Sequence, residues 1–115
     1  MQIYKENRPW GSFEILLDSE NTKVKRITVE PLGKLSYQYH EHRAEHWVVV
    51  EGQAQITLDD EVKQLTQGMS VYIPTGAKHR VENVGLTPLV FIEVQTGTYF
   101  GEDDIVRLQD DYNRA

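Results

Sequence analysis

The sequence predicts an all-β domain, either a sandwich or a barrel. Two observations lead there. Short runs rich in Val, Ile, Tyr and Phe recur along the chain, separated by Gly, Pro, Asp or Asn. Several of these runs alternate polar and apolar residues with the period of two that sets side chains on opposite faces of a strand.

The runs are 13–17, 24–29, 35–40, 47–50, 54–58, 62–65, 71–73, 80–83 and 89–95. Within 35–40, Gln38 and His40 share a face. In 54–58, Ala54, Ile56 and Leu58 oppose Gln55, Thr57 and the following Asp59. After 71–73, Pro74 ends a strand because it cannot donate to a central ladder. Gly68 and Gly76 allow turns with positive φ, and His79 begins the next run. In 89–95, Glu93 and Gln95 lie on one face and Val90, Ile92 and Val94 on the other. The closing stretch Gly101-Glu102-Asp103-Asp104-Ile105-Val106-Arg107-Leu108 is different. An acidic start followed by apolar residues suggests a short C-terminal helix or turn at the rim.

The 115 residues make one domain, 1–115, by size. The absence of cysteine excludes disulfides, thiolate zinc sites and a cysteine nucleophile. No apolar run approaches the roughly 18 residues of a membrane span, and the N-terminus lacks the apolar core of a signal peptide. A cytoplasmic protein with no membrane contact is expected. The net charge of −6 argues against nucleic acid as a partner.

Three of the four histidines fall within the seven residues His40 to His46, mixed with Glu41, Arg43 and Glu45. A plain sheet has little use for that mixture, whereas a metal site needs it. A hairpin pairing 35–40 with 45–50 through a loop at 41–44 sets His40 opposite Glu45 and Gln38 opposite Trp47. Gln38, His40 and Glu45 then converge as amide, imidazole and carboxylate. A competing register pairs His42 with His46 and gathers His40, His42 and His46 instead. In the first register His42 sits in the loop within reach of a ligand, and His46 points to the face opposite Glu45. His79 can deliver a fourth group to the same cavity.

The spacing Gly-x5-Pro-x-Gly-x2-His-x3-Asn from Gly68 to Asn83, and Glu-x6-Gly from Glu45 to Gly52, resemble the two motifs of the cupin superfamily. Gln38 stands where that pattern has its first histidine. The closer resemblance is to the cupin domain of type II phosphomannose isomerases. It is carried by Arg8-Pro9-Trp10-Gly11, Leu35-Ser36-Tyr37-Gln38, His42-Arg43-Ala44-Glu45-His46-Trp47, Tyr72-Ile73-Pro74, Ile92-Glu93-Val94-Gln95 and the run from Gly101 to Arg107.

This resemblance implies a cupin double-stranded β-helix, or jelly-roll barrel. It implies one divalent metal on Gln38, His40, Glu45 and His79, with zinc ahead of manganese, iron, cobalt or nickel. It further implies an isomerase that interconverts mannose 6-phosphate and fructose 6-phosphate in polysaccharide precursor metabolism. Such chemistry needs an electrophile, a base and a phosphate clamp. Glu93, His42 and Lys34 are the candidates for the base. Arg80 and Arg43 are candidates for the phosphate or an oxyanion, and Gln95 and Tyr72 for the sugar. Guanylyltransferase activity, found in such proteins on a separate larger part, is not expected. The alternative is a non-catalytic or differently specific sugar-phosphate-binding cupin, with a separate nucleotidyltransferase as a candidate partner. A homodimer paired through a strand edge is also expected.

Overall fold

The structure, a computed structural model, describes residues 4–101 and 103–109. Among them are eleven strands and no helix: β1 (Tyr4–Arg8), β2 (Gly11–Asp18), β3 (Thr22–Val29), β4 (Tyr37–Tyr39), β5 (Arg43–Glu51), β6 (Ala54–Leu58), β7 (Glu61–Leu65), β8 (Ser70–Ile73), β9 (His79–Asn83), β10 (Leu89–Gly97) and β11 (Val106–Gln109). They form a six-stranded sheet, β1-β2-β3-β10-β5-β8, and a five-stranded sheet, β11-β4-β9-β6-β7. All pairings are antiparallel. The all-β expectation holds.

The period-two alternation fixes what lies between the sheets. On β5, Arg43, Glu45, Trp47 and Val49 are buried, while His46, Val48 and Val50 are exposed. On β10 the buried row is Leu89, Phe91, Glu93 and Gln95, and on β3 it is Lys25, Ile27 and Val29. Register aligns Val49, Phe91 and Ile27 in one layer and Trp47, Glu93 and Lys25 in the next. The inward stripe therefore changes from apolar to ionisable along the strands. The apolar half joins Ile56, Val81 and Leu65 of the other sheet in one core, and Trp47 closes it against Phe91 with ring centroids 5.0 Å apart. The polar half becomes the site.

Three expectations are corrected. First, 35–40 and 45–50 do not form a hairpin. β4 pairs with β9 and β11, and β5 with β10 and β8, so the chain crosses from one sheet to the other between Tyr39 and Arg43. Neither register of that hairpin exists, and Gln38 lies opposite His79 instead of Trp47. Second, of the helix or turn expected at 101–108 the turn holds and the helix does not: the chain turns at Asp103 and Asp104, then enters β11; Glu102 lies outside the described residues. The Asp104 carboxylate accepts the backbone N–H groups of Glu41 and His42 at 3.0 and 2.9 Å. Third, β1 has no counterpart among the expected runs.

Gly68 and Gly76 adopt φ of +86° and +84°, as their turns require. The Gly76 turn does more than reverse the chain. Its N–H donates to the His40 carbonyl at 2.8 Å, which ties the corner at His40 to the loop that leads into His79.

Candidate metal centre and anion cavity

A cavity of about 240 Å³ opens between the sheets at the polar end. His40 and Glu45 line it, and His79 meets them from behind, each of the three almost wholly buried. His40 Nε2 lies 3.2 Å from Glu45 Oε2, and His79 Nε2 lies 4.0 Å from Glu45 Oε1. One donor atom from each of the three falls within 4.8 Å of the others. Gln38 lines the same cavity.

Both imidazoles are held from behind. His40 Nδ1 sits 2.7 Å from the Asp104 carbonyl and His79 Nδ1 sits 3.0 Å from the Ala77 carbonyl. A carbonyl can only accept, so each Nδ1 carries the proton and, in the neutral ring, Nε2 keeps its lone pair toward Glu45. This is the arrangement that outer hydrogen bonds impose on metal-ligating histidines. His79 Nε2 is buried with no hydrogen-bond partner. Two imidazole nitrogens and a carboxylate suit a borderline divalent cation. These residues fit such a metal.

Glu45 is the electrostatic centre. Burial would push its carboxyl up, yet the contact with His40 and the charge of Arg43 hold it well below the usual carboxylate range. Its Oε1 accepts from Trp47 Nε1 at 2.9 Å and its Oε2 from Arg43 Nε at 2.8 Å. Arg43 Nη2 lies 3.2 Å from His40 Nε2. Burial lowers the His79 imidazole, against the pull of Glu45. Glu93 behaves in the opposite way to Glu45. Burial and then the Glu45 charge push it up to about 8, with Lys25 opposing. Gln95 Nε2 donates to Glu93 Oε2 at 2.6 Å.

The rest of the wall mixes bases and apolar faces. Four basic side chains, Arg8, Lys25, Arg43 and Arg107, line it against two carboxylates, Glu45 and Glu93. The local balance is thus inverted relative to the chain's net charge of −6. Trp10, Phe13 and Ile105 supply the apolar surface.

Sequence reasoning placed five further residues at a site, and the structure sets them elsewhere. Arg80 follows His79 on β9 and so takes the other face; its guanidinium donates to the backbone carbonyls of Leu35 and Gln109 at 2.8 and 3.1 Å, joining strand ends. Tyr72 is exposed on the outer face of β8, edge-on to His46. Lys34 lies at an isolated bridge to Glu82. His42 is exposed beside Tyr99 in a second, shallow cluster with Glu41 and Asp104. Gln95 is fully buried behind Glu93 and touches it rather than the cavity. Sequence reasoning missed Lys25, Arg8 and Arg107 as cavity residues. Lys25 carried a usable signal, because it falls in phase with Ile27 and Val29.

The two facing antiparallel sheets, with an ionisable cluster inside one end, have the double-stranded β-helix architecture of a cupin. The chain belongs to the family described as Mannose-6-phosphate isomerase C-terminal, whose model matches residues 1–110. It is 54% identical over 111 residues to a xanthan biosynthesis protein XanB from Xanthomonas campestris pv. campestris, covering 96% of this chain and 24% of that protein. It is 54% identical over 107 residues to a mannose-1-phosphate guanylyltransferase from Salmonella montevideo, covering 93% of this chain and 23% of the relative. Among solved structures, a Klebsiella pneumoniae protein with a double-stranded β-helix domain superposes with a TM-score of 0.74 at 21% identity, covering 84% of this chain and 77% of its own. That likeness shows the fold alone.

The chain thus spans about a quarter of the length of these curated relatives. Their names correct the expected reaction. They are named for xanthan biosynthesis and for guanylyl transfer, and the chain matches only part of each, so the interconversion of mannose 6-phosphate and fructose 6-phosphate does not carry over to it. No helix among the described residues is long and apolar enough to cross a membrane.

Proposed function

We propose that this chain is a metal-holding cupin unit that binds a phosphorylated hexose in the cytoplasm and works beside a mannose-1-phosphate guanylyltransferase part. The observation that carries the reading is the buried His40–Glu45–His79 cluster, of which His40 and Glu45 line a cavity whose wall carries four bases. His40, Glu45, His79 and the adjacent Gln38 are the residues that would hold a divalent metal, zinc ahead of the others. Bound there, the metal supplies an electrophile toward a sugar oxygen.

The chain's own residues supply the rest. Arg43, Lys25, Arg8 and Arg107 offer guanidinium and ammonium groups to a phosphate. Trp10 and Phe13 present apolar faces to a sugar ring. Glu93, neutral near pH 7, holds a proton beside the anionic Glu45, so acid–base work on a bound sugar is within its reach. The exposed Val48, Val50 and Tyr72 on the outer face around β8 support a homodimer through that edge.

Metal analysis and calorimetry test the reading. One divalent metal per chain is expected, lost in His40→Ala and in His79→Ala. Mannose 6-phosphate should bind to the loaded protein, with unphosphorylated mannose at least tenfold weaker. Equal affinity for the two sugars would remove the phosphate from the reading, and full metal content in both variants would remove the metal.

A further inference from the structure

Arg43 occupies the atoms a metal needs. Its Nε takes Glu45 Oε2 at 2.8 Å, and its Nη2 takes His40 Nε2 at 3.2 Å. Glu45 Oε1 is already held by Trp47. Glu45 has lone pairs to spare, but a metal that engages His40 beside His79 must take the one lone pair of His40 Nε2, on which the guanidinium sits. A guanidinium N–H and a metal cannot share that lone pair, and two cations at such spacing repel each other strongly in a buried site. Yet Glu45 cannot be left alone either, since an uncompensated buried carboxylate is strongly destabilising.

We infer that Arg43 is the site's built-in cation, exchanged for the metal and thereby handed to the anionic ligand, so that divalent metal and phosphate bind cooperatively. This rests on the metal reading above. The stem of Arg43 is flexible, and its side chain already lines the cavity with Arg8, Lys25 and Arg107. Displaced from Glu45, the guanidinium turns toward that basic wall, where like charges oppose it. A phosphate in the cavity removes that opposition and gives the fork a bidentate partner. The anion thus favours the state in which the metal atoms are vacated. By linkage the metal favours the anion by the same factor.

Cobalt(II) titrations of the intact chain, read by calorimetry and by the visible absorption of the bound ion, test this. The titrations are run with and without saturating inorganic phosphate. The wild type should bind cobalt on the order of tenfold more tightly with phosphate present. Arg43→Met removes the competing cation, so cobalt should bind more tightly than to the wild type without phosphate, and phosphate should add nothing. That variant also corrects for cobalt held by phosphate in solution. Arg43→Lys keeps a charge but not the fork, and should lie between the two; with the wild-type titration it keeps the test open should Arg43→Met fail to fold. Cobalt affinity in the wild type that ignores phosphate overturns the exchange and leaves the metal site standing. Coupling that persists in Arg43→Met or at full size in Arg43→Lys overturns the role of Arg43. A wild type that binds no cobalt sinks the metal reading and this inference together.

Discussion

Glu93→Gln isolates the effect of one buried proton on stability. Glu93 faces Lys25 on β3 and Glu45 with Arg43 on β5, and Gln95 donates to it from its own strand. Burial and the neighbouring carboxylate raise it from an ordinary 4.5 to about 8. The folded chain therefore keeps the proton over a window in which the unfolded chain releases it. Stability is undiminished below about pH 4.5, falls as pH rises through the window, and reaches its full loss above about 8. A shift from 4.5 to about 8 is about 3.5 units, which at 1.36 kcal/mol per unit sets a ceiling of about 5 kcal/mol. Glutamine mimics the protonated acid: its oxygen accepts from Gln95 and its amide donates toward Glu45. The assay is urea unfolding of metal-free wild type and variant from pH 5 to 9. The variant-minus-wild-type difference should grow by several kcal/mol in the variant's favour across that range, with other titrating groups cancelling. Parallel pH profiles would refute the argument, because they would mean that Glu93 is already ionised in the fold at neutral pH.

Asn83 closes the cupin-like spacing yet does structural work. Its amide donates to the Val29 and Thr87 carbonyls, both at 2.8 Å, and its oxygen accepts from Gly85 N at 2.9 Å. Asn83→Ala should cost about 3 kcal/mol in urea unfolding at about 1 kcal/mol per lost bond, and Asn83→Asp should cost more because a carboxylate would face two carbonyls. Trp47→Phe keeps the ring against Phe91 but removes the donor to Glu45 Oε1. It should destabilise the metal-free protein by about 2 kcal/mol, and bound metal should recover part of that loss; an unchanged unfolding midpoint would show that Glu45 needs no partner at Oε1.

The strands were legible because alternation and turn chemistry are local. All nine expected runs overlap observed strands, from the exact span of β6 to the three-residue β4 inside 35–40. β1 was not, because Tyr4-Lys5-Glu6-Asn7-Arg8 shows no apolar alternation and is a strand through its pairing with β2. β11 was hidden by the acidic residues before it, whose partner is the distant loop at Glu41 and His42. The hairpin failed for a related reason: whether two consecutive strands pair or enter opposite sheets is decided by long-range contacts. His40 and Glu45 still meet, since both face inward from either side of the sandwich. Arg80 and Tyr72 were misplaced despite a local signal. Arg80 adjoins the inward His79, and Tyr72 lies between the inward Val71 and Ile73, so both must point away.

The same alternation that writes the core also argues that the site is there for a ligand. Read inward along β5, the row runs Val49, Trp47, Glu45, Arg43; along β10 it runs Phe91, Glu93, Gln95. Nothing in the backbone changes where the row turns polar. A continued apolar row of similar volume would keep the sheets packed, and replacing buried ion pairs in that way is commonly neutral or stabilising. The fold instead carries Glu45, Glu93, Arg43 and Lys25 buried side by side, with two imidazoles whose inner nitrogens face a carboxylate. Each of these groups costs desolvation. The pairings offset part of it, but they leave His79 Nε2 without a hydrogen bond and Glu93 protonated against its ordinary tendency. The first departure is what a metal would resolve, by coordination, and a cation held on Glu45 would also relieve the charge that helps keep Glu93 protonated.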